Sequence, residues 1–387
     1  DTTISGDNTQ FNFKKVNAEN LGNGQSFLNT IQENTNDITV KIKTLVSDNL
    51  TITATDGDTR ASITINLIES DGEGELVIPS KLLQEYLKNV PSIPIAFNLD
   101  TTGENNYQIT ISAGNGVYRM VGMDAGNYPT MPQISDAKSI VLNSSILSTS
   151  IEYTLFCAAP VDYRQILTGI NFDFKENMLN VVSTDSHRLV RYRRFNIDTD
   201  DNFNFVSKRK PLQLLRNLLD KDTDVSINFN ETNESFEFDN IIISCKLLEG
   251  VFQDYDRVIP PSFENKLLIG KEDFIAALKR VSVFTDKATN QVKMHIEGQE
   301  ITLTGNDEEY ANEGIEKLQC TYEGEDMDIS FNSKTFMEML QHLDCDNINI
   351  LMNKPNTAIV ITPAEENENE DIVMLHMPIS LKGSGDY

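Results

Sequence analysis

Ser183, Asp185, Ser186 and His187 lie close together in this chain, and they are the first side chains that suggest a reaction. A hydroxyl, an imidazole and a carboxylate are the parts of a hydrolase. Their spacing argues against one. A triad is assembled from separate segments beside an oxyanion hole, and neighbours on one turn rarely point at each other. The plainer reading is a tight turn in which Thr184, Asp185 and Ser186 bond their own backbone. His295, His342 and His376 stand alone, with no Cys or carboxylate cluster at ligand spacing. No phosphate loop, dinucleotide fingerprint or paired-carboxylate motif is present. The expectation is a binding protein without catalytic residue, metal or cofactor.

The turn needs elements to hold it. Residues 179–184 alternate apolar and polar as a strand does, and 187–192 alternate again after the turn. The run from Ser183 to Arg194 is also the most basic in a chain of 387 residues with net charge −27. It has two cousins. Residues 50–60 repeat the alternation, the Thr55-Asp56 turn and a following Arg60. Residues 301–307 repeat the strand and the turn Asp307, without the Arg. Asp56, Asp185 and Asp307 are spaced by about 125 residues, a domain-scale period rather than that of a solenoid. A second set keeps the period: segments ending at Lys81, Lys208 and Lys334 each close a strand and open a helical pattern. Three copies of one α+β unit are expected.

Helical spacing is expected over 80–89, opened by a Ser80 cap, and over 143–157, 207–219, 270–284 and 333–343. Pro211 falls in a first turn, where it is tolerated. Before residue 38 the chain is polar and Asn-rich, with a strand at 10–14 and a short helix at 26–32. Residues 365–371 form an acidic hairpin end.

The run at 183–194, the linkers Asn127-Tyr128-Pro129 and Phe252-Gln253-Asp254-Tyr255, and the ending from Val373 to Leu381 resemble the beta subunit of bacterial DNA polymerase III, the sliding-clamp family. The resemblance runs in register from about residue 38 to 381 and is most specific in the second and third repeats. It implies clamp domains at 1–126, 127–251 and 252–387, each with outer antiparallel sheets and two inner helices. It also implies a head-to-tail homodimer that closes as a ring on double-stranded DNA. The polymerase III catalytic subunit, the clamp loader, other polymerases and repair proteins would dock by short peptide motifs. Carried over by position, the peptide cleft is walled by Leu167, Thr184, His187, Arg188, Leu189, Arg257, Val258, Pro355, Thr357, Met377, Pro378 and Ile379, with Asn332 at its edge and Leu381 at its end. Leu189, Val258, Met377 and Ile379 would make its apolar floor. Gln253 stands where the family often has Pro, Thr335 where a Tyr can gate the pocket, and Ser380 where an Arg can sit. The dimer contact would join Val283 and Phe284 to Tyr118 of a partner.

Charge fits that expectation in one respect. Lys81, Lys88, Lys208, Arg209, Lys210, Arg216, Lys279, Arg280 and Lys334 fall on the helical patterns of all three repeats. Such runs are usually a solvated face. On helices lining a ring they would attract phosphates without reading bases, inside an acidic shell that repels DNA elsewhere. Four cysteines without paired spacing point to buried thiols in a reducing cytoplasm. No apolar run spans a membrane, and no signal peptide is evident. The chain begins at Asp1 rather than Met, as expected of a missing or processed start, and a polar tail follows Leu381. The rival expectations are an acidic β-rich surface or scaffold protein of stacked repeats, and a hydrolase using the His187 turn.

Overall fold

Alternating sequence makes most of this chain strand, and each helix begins where a strand runs out of alternation. A computed structural model describes residues 10–16, 39–45, 49–70, 74–91, 93–100, 107–130, 134–162, 164–199, 202–219, 222–365 and 367–379. The expected helix at 26–32, Ser380, Leu381 and the tail lie outside the described residues.

In chain order the elements begin with β1 (Gln10–Val16), β2 (Thr39–Leu45), β3 (Asn49–Thr55), β4 (Thr59–Ser70), β5 (Gly74–Pro79), α1 (Ser80–Lys88), β6 (Ile95–Asp100), β7 (Tyr107–Ala113) and β8 (Gly116–Gly122). They continue with β9 (Lys138–Asn143), α2 (Ser144–Thr154), β10 (Gly169–Lys175), β11 (Met178–Thr184), β12 (Arg188–Phe195), β13 (Phe203–Lys208), α3 (Arg209–Leu218), β14 (Asp224–Phe229), β15 (Asn233–Phe238) and β16 (Ile241–Lys246). The last group is β17 (Asn265–Gly270), α4 (Lys271–Ser282), β18 (Gln291–Glu297), β19 (Glu300–Asp307), β20 (Asn312–Gln319), β21 (Thr321–Glu323), β22 (Met327–Asn332), α5 (Ser333–Gln341), β23 (Asn347–Met352), β24 (Ile359–Pro363) and β25 (Glu370–His376). No helix among the described residues is long and apolar enough to cross a membrane.

The chain forms two compact units. The first comprises 1–148 and 210–247, the second 149–209 and 248–387. In the first, an antiparallel sheet runs β8-β7-β6-β1-β4-β16-β15-β14-β9, with β2, β3 and β5 branching beside β4. The β4–β16 pairing, from Ile63↔Ile241 to Thr59↔Cys245, makes strands of two expected repeats into one sheet. Each strand there covers an edge that would otherwise be a template for aggregation.

In the second unit a nine-stranded sheet runs β13-β10-β11-β12-β25-β24-β23-β17-β21, and a four-stranded sheet runs β20-β19-β18-β22. One core joins them: Phe274 and Leu278 of α4, Phe336 and Leu340 of α5, Met294, Leu303 and Phe331 of the smaller sheet, and Ile350, Ile361 and Met374 of the larger. Phe331 and Phe336 stack at 4.3 Å, which fixes how α5 lies on β22.

The repeat is visible atom by atom in two turns. Asp56 Oδ1 accepts from the amides of Asp58 (3.0 Å) and Thr59 (2.7 Å), while Thr55 Oγ1 donates to the Thr59 carbonyl (2.9 Å). Asp185 Oδ1 accepts from His187 (3.0 Å) and Arg188 (2.7 Å), while Thr184 Oγ1 donates to the Arg188 carbonyl (2.6 Å). Gly57 and Ser186 occupy the same left-handed position, with φ 94° and 77°. The third copy departs from the expectation. β19 continues through Asp307, and the chain turns later, at residues 308–311, so Asp307 Oδ1 accepts from the Tyr310 amide at 3.3 Å.

Other boundaries also move. Ser80 is the first helical residue rather than a cap, since Pro79 precedes α1 with no side-chain cap bond. Lys208 ends β13 and is not on a helix, because its backbone still pairs with Gly169. The 143–157 helix ends at Thr154 and tightens to a 3-10 turn over Leu155–Cys157. α4 and α5 stop at Ser282 and Gln341. The acidic hairpin end is shorter than expected, because Glu370 and Asp371 belong to β25.

Candidate functional site

The Asp185 turn is built to hold Arg188. The same carboxylate that caps two backbone amides through Oδ1 takes Arg188 Nε on Oδ2 at 2.9 Å. Arg188 Nη1 reaches Glu338 Oε2 on α5 at 2.6 Å, and the guanidinium lies over the Phe156 ring at 5.7 Å. Phe156 in turn stacks on His342 at 4.0 Å. Burial works against the Arg188 charge, but the Cys157 sulfur, Glu338 and Asp185 more than offset it, and the pKa is raised. Burial pushes the Cys157 thiol up to about 12, so it is an inert neighbour.

This geometry removes the hydrolase. Ser183 is fully buried and its hydroxyl donates to the Thr154 carbonyl at 2.6 Å. Asp185 serves the turn and Arg188, and His187 is exposed. No nucleophile–base contact is made among them. Among the described residues no group of His, Cys, Asp and Glu is arranged to hold a metal.

The expected cleft residues through Ile379 all fall in the second unit. Arg188 pairs with His376 across β12 and β25, and Leu189 with Leu375. Just beyond β25 the Met377 amide donates to the His187 carbonyl at 2.8 Å, and the Ile379 amide donates to the Ser330 carbonyl at 2.8 Å. The floor differs from expectation. Leu167 and Leu189 are buried in a cluster with Val182, Phe252, Tyr255 and Leu375. Val258 and Met377 are the surface members, 42% and 39% exposed. Long, adaptable Met377 on such a surface suits varied apolar partners. Arg257 is exposed and pairs with Asp254 at 2.9 Å. Pro355 and Thr357 lie on the turn before β24, closed by the Thr357 hydroxyl and the Lys354 carbonyl at 2.9 Å. Asn332 caps α5, accepting from the amides of Lys334 and Thr335, each at 3.1 Å.

Sequence reasoning missed the buried polar layer beneath this rim. His376 is 2% exposed, and its Nε2 meets Thr335 Oγ1 at 2.8 Å. Burial first, then the Arg188 charge, pulls the His376 pKa down to about 4. Glu338 also escaped notice. The only sequence signal was Thr335 and Glu338 at the i,i+3 spacing that shares one helix face.

A cavity of about 810 Å³ lies elsewhere in this unit, walled by Tyr153, Tyr192, Asp344, Glu365, Glu368 and Glu370. It contains none of the expected cleft residues. An open groove for an extended peptide need not be an enclosed cavity, so this cavity does not locate the site.

The basic residues divide. Lys81 and Lys88 of α1, Arg216 of α3, Lys279 of α4 and Lys334 of α5 are exposed. Lys210 is engaged by Asp56 at 2.5 Å. Burial alone would raise the Asp56 carboxyl, but Lys210 and the Thr59 and Asp58 amides overcome it, and its pKa is lowered. Lys208 and Arg209 are half-buried. Arg280 is held by Glu316, with Nε at 2.9 Å, and that pairing raises its pKa. Tyr118, 47% exposed, sits on edge strand β8. Val283 and Phe284, 64% and 42% exposed, follow α4 beside edge strand β20, where Phe284 lies over Gly314.

Repeated antiparallel sheets backed by helices define a fold of the clamp class. Three domain families match in sequence: the N-terminal, central and C-terminal domains of the DNA polymerase III beta subunit, over residues 14–132, 141–254 and 256–380. The beta sliding clamp of Bacillus subtilis is 28% identical over 351 residues, covering 87% of this chain and 91% of that protein. That of Staphylococcus epidermidis is 27% identical over 337 residues, covering 85% and 88%. The solved sliding clamp of Bacillus subtilis matches with TM-score 0.85 at 23% identity, over 97% of this chain and all of that one. A Pseudomonas aeruginosa clamp bound to griselimycin matches at 0.86 and 20%, over 96% of this chain and all of that one. The chain belongs to the bacterial DNA polymerase III beta subunit family, with three clamp-type domains and the role of a non-catalytic DNA sliding clamp, a processivity factor.

Proposed function

We propose that two copies of this chain close head to tail as a ring around duplex DNA in the cytoplasm. The domains are taken as 1–126, 127–251 and 252–387. The ring tethers the polymerase III catalytic subunit by topology, and partners dock at the rim formed by His187, Val258, Met377 and Ile379. The observation that carries the docking reading is the half-exposed Met377, tied by its amide to His187 at the ends of the strands that carry buried Leu189 and Leu375. Apolar area that stays wet in the free chain is available to a partner, and nearby polar groups set register more than affinity. The occupant is a short peptide with a Gln and bulky apolar residues, offered by the polymerase, the loader and other polymerases or repair proteins.

Two exposed edges support the dimer. β8 carries Val117, Tyr118 and Val121, each 47% exposed or more, and β20 carries Ile315 at 58% beside Phe284. Pairing such edges removes an aggregation hazard, and a heterologous contact closes when its rotation closes. DNA is held through phosphates by Lys81, Lys88, Arg216, Lys279 and Lys334, with Lys208, Arg209, Lys210 and Arg280 reinforcing the field.

The test is calorimetry with a Gln- and Leu-containing peptide. Met377→Ala with Val258→Ala is expected to abolish binding while the dimer mass is kept. Wild-type protein showing no saturable binding to any such peptide contradicts the docking reading.

A further inference from the structure

Two polar contacts from α5 meet the ends of two neighbouring strands. Glu338 Oε2 takes Arg188 Nη1 at 2.6 Å, and Thr335 Oγ1 meets His376 Nε2 at 2.8 Å. Thr335 and Glu338 are one helical turn apart on one face. Arg188 and His376 are direct cross-strand partners on β12 and β25. The four side chains therefore form a closed figure: two on the helix, two on the sheet, each helix group bonded to one strand group.

The chemistry of each contact is directional. The Thr335 hydroxyl donates to the Asn332 carbonyl at 3.2 Å, so it accepts from His376, whose proton is then on Nε2. His376 Nε2 makes the contact to α5, with the Phe336 ring tilted against the imidazole at 5.4 Å and the Phe331 ring edge-on at 6.4 Å. Arg188 is 8% exposed, and a buried guanidinium stripped of a carboxylate is strongly unfavourable. Both contacts thus resist sliding or rotation of α5 far more than apolar packing would.

What they hold is the rim. His187 and Met377, the residues beside Arg188 and His376, share the hydrogen bond that joins the two strand ends. Asn332, at the start of α5, is the edge residue on the other side. We propose that Thr335 and Glu338 are positioning residues of the partner cleft, a two-point staple that fixes the α5 cap against the Met377 rim without either touching the peptide. This rests on the cleft reading above.

The test uses the full chain with methyl-labelled methionine. Glu338→Gln keeps shape and removes the charge from the Arg188 contact, and Thr335→Val keeps shape and removes the hydroxyl that meets His376. The expected result is a shifted or broadened Met377 methyl signal, an unmoved signal from core Met294, peptide affinity down about tenfold, and a lowered thermal midpoint with the unfolding transition still cooperative. Glu338→Asp is expected to recover part of the affinity. An unmoved Met377 signal with wild-type affinity overturns the staple. So does loss of affinity that only follows loss of the folded baseline, with Met294 moving alongside Met377. If wild-type protein binds no peptide, the cleft reading fails, and the staple is judged on the Met377 signal alone.

Discussion

Arg188 was expected in the wall of the peptide cleft, and in the fold it is a buried charge held by Asp185 and Glu338. Asp185 does three jobs at once, capping two amides and pairing the guanidinium, so its removal leaves the buried guanidinium with Glu338 alone and two orphan donors. Asp185→Ala is expected to cost about 3–5 kcal/mol, measured by denaturant unfolding. An effect below about 1 kcal/mol would mean that Glu338 alone suffices. His376 makes a pH prediction of definite sign. Its ordinary value is 6.5, and burial together with the Arg188 charge lowers it to about 4. The groups facing it are Arg188 of β12, Asp185 and His187 of the turn, and the Thr335 hydroxyl of α5. As pH falls the unfolded chain takes the proton first. Stability is full above about pH 6.5, falls progressively below it, and levels off beneath about pH 4. The loss attributable to this residue at pH 5 is about 2 kcal/mol. Comparing wild type with His376→Leu at about pH 7.5 and about pH 5 isolates it: the variant should lose less on acidification, and equal losses would refute the assignment.

At the scale of the element, the edge strands carry the assembly prediction. Phe284 rests on β20 because Gly314 presents no side chain; a Cβ there would come within 2.7 Å of the ring. Gly314→Val should push Phe284 off the edge and shift the mass in solution toward monomer, as Phe284→Lys should. A dimer of unchanged stability in both variants would place the contact elsewhere. Elements were largely legible from periodicity, because 3.6 and 2 residue repeats are local properties. What was not legible came from a distance. The run at 183–194 read as the most basic in the chain, and residues 365–371 as a solvated acidic hairpin end. In the fold they meet: Arg191 pairs with Asp371, and Glu370 accepts from the Tyr192 hydroxyl at 2.7 Å and lies 3.6 Å from Arg194. Neither segment alone shows that the other neutralises it. For the same reason Leu189 passed as part of an open apolar floor. β12 has neighbours on both edges and is buried on both faces, so Leu189→Ala is a core truncation of about 2–5 kcal/mol and a poor probe of docking. The residues of the cleft were named from family resemblance, Thr335 was noted only as standing where a Tyr can gate the pocket, and Glu338 was invisible because its partner lies on another element.

At the scale of the whole molecule, a chain of net charge −27 that acts on DNA needs its positive groups gathered on one face. Replacing Lys279 and Lys334 by Glu, with Lys81 and Arg216, is expected to weaken DNA association equally on any sequence and to flatten its salt dependence. A sequence-dependent loss would mean base contacts instead. The central claim is topological: the ring holds DNA by encirclement rather than by affinity. The direct measurement is retention after loading onto nicked circular DNA, followed through gel filtration in high salt before and after the circle is cut once. The protein should stay with the intact circle and run off the linear molecule. Equal retention on both forms, or none on the circle, would contradict a sliding clamp.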